Sequence, residues 1–279
     1  MPSGLNARIL ICGMSRSGST LLQKALLRYF EKYYEKELPV FEGANREKKD
    51  YQSVTRTGGS AIVKMHYPPV EAMSSFWRGY TLIVRCKRDI RDAAASNIIS
   101  KESKNESLNR EQIEERYSAP FEKELYENIT GTLNELVWEY ESWNKHITRK
   151  TMRPARVTEW IYEDFKKDEV GEVKRIIDEL SQACKLKKLD KSEVSELMAE
   201  LAEPVELTKD YKPKKLHKKE VINKYLAEEA LYSDPERFNF FQTAAENCIK
   251  KAESTLLDKK TDKWSYSADV RNYIRWKQK

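Results

Sequence analysis

Residues 8 to 22 read Arg8-Ile-Leu-Ile-Cys-Gly13-Met-Ser-Arg-Ser-Gly18-Ser-Thr20-Leu-Leu22, and the change of character along this stretch decides the fold. Its first part, 8–13, is a short apolar and β-branched run that predicts a buried strand. From Leu21 onward Leu22, Leu26 and Phe30, with Leu21, Ala25 and Tyr29, fall on adjacent helical rows, which predicts an amphipathic helix over 19–37. The turn between them holds two of the chain's nine glycines. Glycine lets backbone N–H groups approach a phosphate, and the start of the following helix adds its dipole. The spacing matches G-x-x-x-x-G-K-[ST] except that Ser19 stands at the lysine position, while Arg16 lies two residues before Gly18. No strand ends in an aspartate placed to hold magnesium as the P-loop nucleotidases do.

Further strand-like runs at 61–66, 80–85 and 156–162 alternate with helical patterns, which predicts an α/β fold: a parallel sheet flanked by helices. The segment 102–150 is helical and strongly charged, and from 166 the chain is mainly helical, including 170–183, 191–202 and 235–257. No repeat or Gly/Ser linker divides it. The expectation is a single domain over 1–279, with its sheet core in 1–100 and 155–165, a helical insertion at 102–150 and a helical part at 166–279. The 259–279 tail is unassigned.

Composition narrows the classes. The 279 residues are 34% charged, but 51 Lys and Arg against 45 Asp and Glu leave a net +6. Such mixing excludes a histone-like or dedicated nucleic-acid protein and favours an anionic ligand. No run approaches the ~20 apolar residues of a membrane span, and the first residues lack a signal-peptide core, so a soluble, cytoplasmic protein without membrane partners is expected. Four scattered cysteines and three histidines offer no metal signature, so reduced thiols and no metal are expected. Oligomeric state is not fixed by any of this.

His66 closes a strand, where open α/β sheets place their ligands, and Lys64 two residues earlier points to the same face. An imidazole of ordinary pKa ~6.5 suits proton abstraction at neutral pH. His146 and His217 have no comparable setting. From Glu111 to Glu141 stand nine Glu against Arg116 and Lys123, together with Phe121, Tyr126, Trp138 and Tyr140 and, just beyond, Trp143, a supply of carboxylates and rings able to take a cation.

Taken together, these segments resemble the sulfotransferases that use 3′-phosphoadenosine 5′-phosphosulfate (PAPS), in their cytosolic, small-molecule branch. Gly13-Met-Ser-Arg-Ser-Gly-Ser-Thr-Leu-Leu22 is similar to that family's 5′-phosphosulfate loop, Arg88-Asp-Ile-Arg-Asp-Ala-Ala-Ala-Ser96 to its 3′-phosphate segment, and Val63-Lys-Met-His-Tyr-Pro68 to the Lys-x-His-x-Pro that carries its base. Tyr162-Glu-Asp164 is similar to the segment whose tyrosine contacts adenine, and Lys218-Lys-Glu-Val-Ile-Asn-Lys-Tyr225 to the late basic segment. The departures are Ile90 for a proline, Glu220 for a glycine, and Arg16 for the usual lysine, a change from a compact ammonium to a planar fork.

The resemblance implies a P-loop-like sulfotransferase fold and in-line sulfuryl transfer from PAPS, leaving the product PAP, to a hydroxyl or amino group of a small molecule. It implies His66, Lys64 and Arg16 as catalytic residues. It further implies Ser15, Arg16, Ser17, Gly18, Ser19, Thr20, Arg88, Ser96, Tyr162, Lys218 and Lys219 at the cofactor, with no metal. The 102–150 insertion then lies on the acceptor side, so its charge suggests a cationic acceptor met by Tyr67, Trp138, Glu139 and Tyr140. Two other classes stay open on the residues: a P-loop kinase, against which Ser19 speaks, and a non-catalytic nucleotide-binding module, against which Lys64 and His66 speak.

Overall fold

The computed structural model describes residues 6–43, 59–66, 79–103, 122–147, 155–202 and 235–257. Five parallel strands, β1 (Arg8–Gly13), β2 (Val40–Gly43), β3 (Ala61–Met65), β4 (Leu82–Lys87) and β5 (Arg156–Ile161), form one sheet in the order β2-β3-β1-β4-β5. The central strand β1 is apolar on both faces. Ile9 and Ile11 join one core cluster, while Leu10 and Cys12 join another on the opposite side.

The first cluster lies under α1 (Ser19–Tyr34), α5 (Glu169–Cys184) and α6 (Lys191–Ala202), where Leu22, Leu26 and Phe30 meet Ile176, Leu180 and Leu197. Each such buried aliphatic side chain contributes about 1.5–3 kcal/mol. Arg28 and Lys32 reach Glu200 at 2.6 and 2.7 Å and tie α1 to α6 along the rim. The helix stops at Tyr34, short of 37, because Glu35 turns left-handed (φ 50°), its N–H donating to Glu31 O while the Lys36 N–H donates to Phe30 O. The second cluster is closed by Trp143 from α3 (Glu122–Ile147).

The edges of the expected strands shift for physical reasons. β4 runs two residues past Arg85 because Arg85 pairs across the sheet with Glu159 of β5, and Lys87 reaches the same carboxylate at 3.3 Å. β2 escaped the sequence reading: four residues beside Pro39 give no period to detect, and the strand exists by pairing with β3. β1 and α6 stand at their expected bounds, as does α7 (Pro235–Leu257).

The chain separates into two compact units, Met1–Asp89 with Glu139–Pro204, and Ile90–Trp138 with Val205–Lys279. The second unit holds α2 (Ile90–Ser103), the first part of α3, and α7. There Arg91 pairs with Glu246 and Gln242 donates to Asp92 at 2.7 Å, fixing α7 along α2. No helix among the described residues is long and apolar enough to cross a membrane.

Candidate functional site

At the C-terminal end of β1 the chain closely approaches β4. Gly13 (φ 111°) lies against β4 so closely that a Cβ would sit 2.4 Å from Cys86 O, and Met14 N donates to that same carbonyl at 3.0 Å. Arg16 is left-handed (φ 60°), as is Gly18 (φ 78°), whose Cβ would fall 2.7 Å from the Tyr162 ring. Two left-handed residues within three positions curl the loop over the start of α1. Ser17 Oγ donates to Met14 O within it, and Trp160 Nε1 donates to Ser17 O at 3.0 Å from β5. Ser17 and Ser19 are buried.

No side chain caps α1 and no acidic residue stands in its first turn. Its positive end is therefore left to an anion. A cradle of this kind fits a phosphosulfate, and the side chains around it reinforce the sign. Lys64 Nζ on β3 donates to Thr20 Oγ1 at 2.8 Å. Arg88 Nη1 donates to Arg16 O at 3.1 Å while its guanidinium lies 4.2 Å from the centre of the Tyr162 ring.

His66 follows β3 at the same end of the sheet. Its Nδ1 lies 3.3 Å from Gly13 O, an atom that can only accept, so in the neutral ring the proton sits on Nδ1 and Nε2 keeps its lone pair. Below the loop, Cys12 and Cys86 are fully buried; burial pushes the Cys86 thiol up to about 12, with Lys64 and Ser17 pulling the other way, and raises Cys12 well above its ordinary value. Neither thiol is poised to act as a nucleophile.

A family model described as a sulfotransferase domain matches residues 6–224. The chain belongs to the sulfotransferase-domain family. The β1 loop that the sequence singled out lies within the matched residues, in a family whose donor is PAPS. Among solved structures, a crystal structure of retinol dehydratase in a complex with retinol and PAP is similar at 17% identity and a TM-score of 0.38, over 72% of this chain and 66% of that one. The chain thus spans just under two thirds of the retinol dehydratase chain. No curated protein matches it.

Within the first unit the chain brings together Ser15 to Thr20, Lys64, His66, Arg88 and Tyr162. Ser96 is buried on α2 in the second unit. Tyr67, Lys218 and Lys219 lie outside the described residues. Of the residues expected at the acceptor, Trp138 is exposed, Tyr140 is buried with Arg85 over its ring at 5.3 Å, and Glu139 is buried with its Oε2 accepting from Ser15 N–H at 2.7 Å.

Sequence reasoning missed the supports of the site. Trp160, which props the loop through Ser17 O, reads in sequence only as one more apolar strand residue. Trp143 donates from Nε1 to His66 O at 2.7 Å, and its signal was its spacing of one helical turn from Glu139. Among the described residues no group of three or more His, Cys, Asp or Glu could hold a metal ion.

Proposed function

We propose that the protein transfers a sulfuryl group from PAPS to a hydroxyl or amino group of a small, cationic acceptor, with His66 as general base. The reading is supported above all by one observation: the end of β3 sets Lys64 on Thr20 and His66 on Gly13 O, so that a cation and a base flank one anion loop. When bound, PAPS supplies the sulfuryl group and a leaving oxygen that gathers negative charge. Arg16, Lys64 and the N-terminus of α1 hold fixed positive charge where that oxygen would lie. The loop N–H groups and the hydroxyls of Ser17, Ser19 and Thr20 orient the 5′ end, Ser15 contributing its place in the loop. Arg88, with Ser96, Lys218 and Lys219, takes the 3′-phosphate, and Tyr162 the adenine. His66 Nε2 receives the acceptor's proton, and the Nδ1 contact keeps the ring aimed.

The acceptor is proposed to be a small molecule because the family's cytosolic branch, which the motifs resemble, acts on such molecules. Cationic character rests on the nine-to-two acidic excess of 111–141 and its aromatic residues, Trp138 and Tyr140 among them, with Tyr67 joining them from the segment after β3. The whole is taken as one sulfotransferase domain. Mass spectrometry of reactions containing PAPS and a panel of amines, aminoglycosides, phenols and sterols tests it. Gain of one sulfuryl group on an amine-bearing acceptor is expected, and no transfer to any member would sink the reading.

A further inference from the structure

Glu139 and Trp143 have no part in the chemistry just described, yet each makes a hydrogen bond to it from a buried side chain. They are one turn apart on α3, so they lie on one row of the helix, and both belong to the unit that carries the sheet. Glu139 Oε2 accepts from Ser15 N–H in the donor loop at 2.7 Å, and Trp143 Nε1 donates to His66 O at 2.7 Å. The third side of the figure is His66 Nδ1, which meets Gly13 O at 3.3 Å two residues before Ser15. Loop, base and helix therefore close on one another through three hydrogen bonds.

An anion-binding loop with a carboxylate on one of its own N–H groups is a conflict of sign. The contact works against donor affinity through like-charge repulsion, so affinity does not explain it. Geometry does. Both residues are almost wholly buried, and losing either would leave its partner group without that bond. A rigid helix holding one contact at each end of a single turn fixes the separation between them, and a misplacement of ~1 Å in a reacting group can cost about 10²-fold in rate.

We propose that Glu139 and Trp143 are positioning residues that set the spacing between the sulfuryl-donor loop and His66. This rests on the sulfotransferase reading above. The sign conflict gives the role a signature that a merely structural one lacks: rate and donor affinity move in opposite directions.

The experiment compares kcat with PAP affinity by calorimetry in the full chain. Glu139→Ala is expected to lower kcat about ten- to a hundredfold while PAP binds as tightly as before or more tightly. Glu139→Gln, which keeps a carbonyl acceptor for Ser15 N–H without the charge, recovers most of that rate. Trp143→Phe keeps the ring and loses the donor; its kcat falls about tenfold with PAP affinity held, and in a His66→Ala background the same change costs nothing further. Parallel loss of PAP affinity and rate in Glu139→Ala, or equal rates for the Ala and Gln variants, overturns the proposal. So does a full penalty for Trp143→Phe without His66. If Trp143→Phe does not fold, the two Glu139 variants decide. Wild-type chain that transfers nothing from PAPS overturns the sulfotransferase reading as well, whereas an active wild type with indifferent variants overturns this proposal alone.

Discussion

The donor loop and the acidic segment that ends in α3 are the two parts of the chain with the most pronounced sequence character, and they differ in what fixes their residues. In the loop, position follows from backbone constraint: Gly13 has no room for a Cβ against Cys86, Gly18 has none against Tyr162, and Arg16 is bent left-handed between them. In α3 position follows from which side of a helix a residue happens to occupy. Trp138 is 43% exposed and its neighbour Glu139 1%. A charge count over 111–141 treats these neighbours alike, whereas the fold turns one outward and commits the other to the loop. Constraint on the backbone leaves a readable mark, and composition of a helix face does not.

The hardest test of the loop side is His66. His66→Ala is expected to lose about 10²- to 10⁴-fold in kcat with PAP affinity nearly unchanged, measured by steady-state kinetics beside calorimetry. Loss of PAP binding and thermal stability together would make His66 a structural residue, and the comparison would lose its chemically defined half.

Legibility in the sequence follows the same division. The strand 8–13, the turn to α1, and the end of β3 could be read because period, glycine placement and strand polarity each allow one arrangement. The length of β4 could not, because it depends on Arg85 finding Glu159 on a strand more than seventy residues away. Nor could the supports from Trp160, whose local signal says only that it is apolar, and Trp143, whose ring and helical spacing do not say what it meets; both are long-range contacts. The edge strand β2 is the same case in miniature.

Arg88 sharpens the loop side further. It already binds Arg16 O and stacks on Tyr162, so one residue couples the expected 3′-phosphate reader to the 5′ loop. A hydrogen bond to a charged group contributes about 1.5–3 kcal/mol, so Arg88→Ala should reduce the preference for PAP over AMP roughly 10- to 150-fold, with AMP affinity moving less. Equal preference before and after the change, by competition calorimetry, would detach Arg88 from the 3′-phosphate.

Alkaline pH probes the floor of the loop. Cys86 is raised to about 12 and Cys12 is also raised, first by burial in both cases. A thiol whose folded value exceeds its unfolded one contributes stability that is fully present below the unfolded value and lost as pH climbs toward the folded value. Unfolding stability should therefore fall above pH ~8.5, by up to about 1.4 kcal/mol per pH unit for each thiol. Cys86→Ala should flatten that slope in denaturant titrations at successive pH values; an unchanged slope would mean that the thiols titrate alike in both states.

The smallest effect is expected on the acidic side, and it is the one that could overturn the comparison. If the carboxylates of 111–141 act collectively on a cationic acceptor, their attraction is the exposed kind, about 0.2–1 kcal/mol each, or a 1.4- to 5-fold change in KM. The Debye length shrinks from ~30 Å at 0.01 M to ~8 Å at 0.15 M salt, so KM for an amine should rise over that range while KM for a neutral phenol stays level. Glu139 is taken by the loop, which makes Glu135 the informative position on the described part of the helix. Glu135→Gln should remove part of the salt dependence and leave kcat alone, because attraction to a distant carboxylate changes encounter and binding more than the chemical step. A salt-independent KM for every acceptor would mean that the acidic run is a solvated face, and that the acceptor is chosen by side chains composition does not single out.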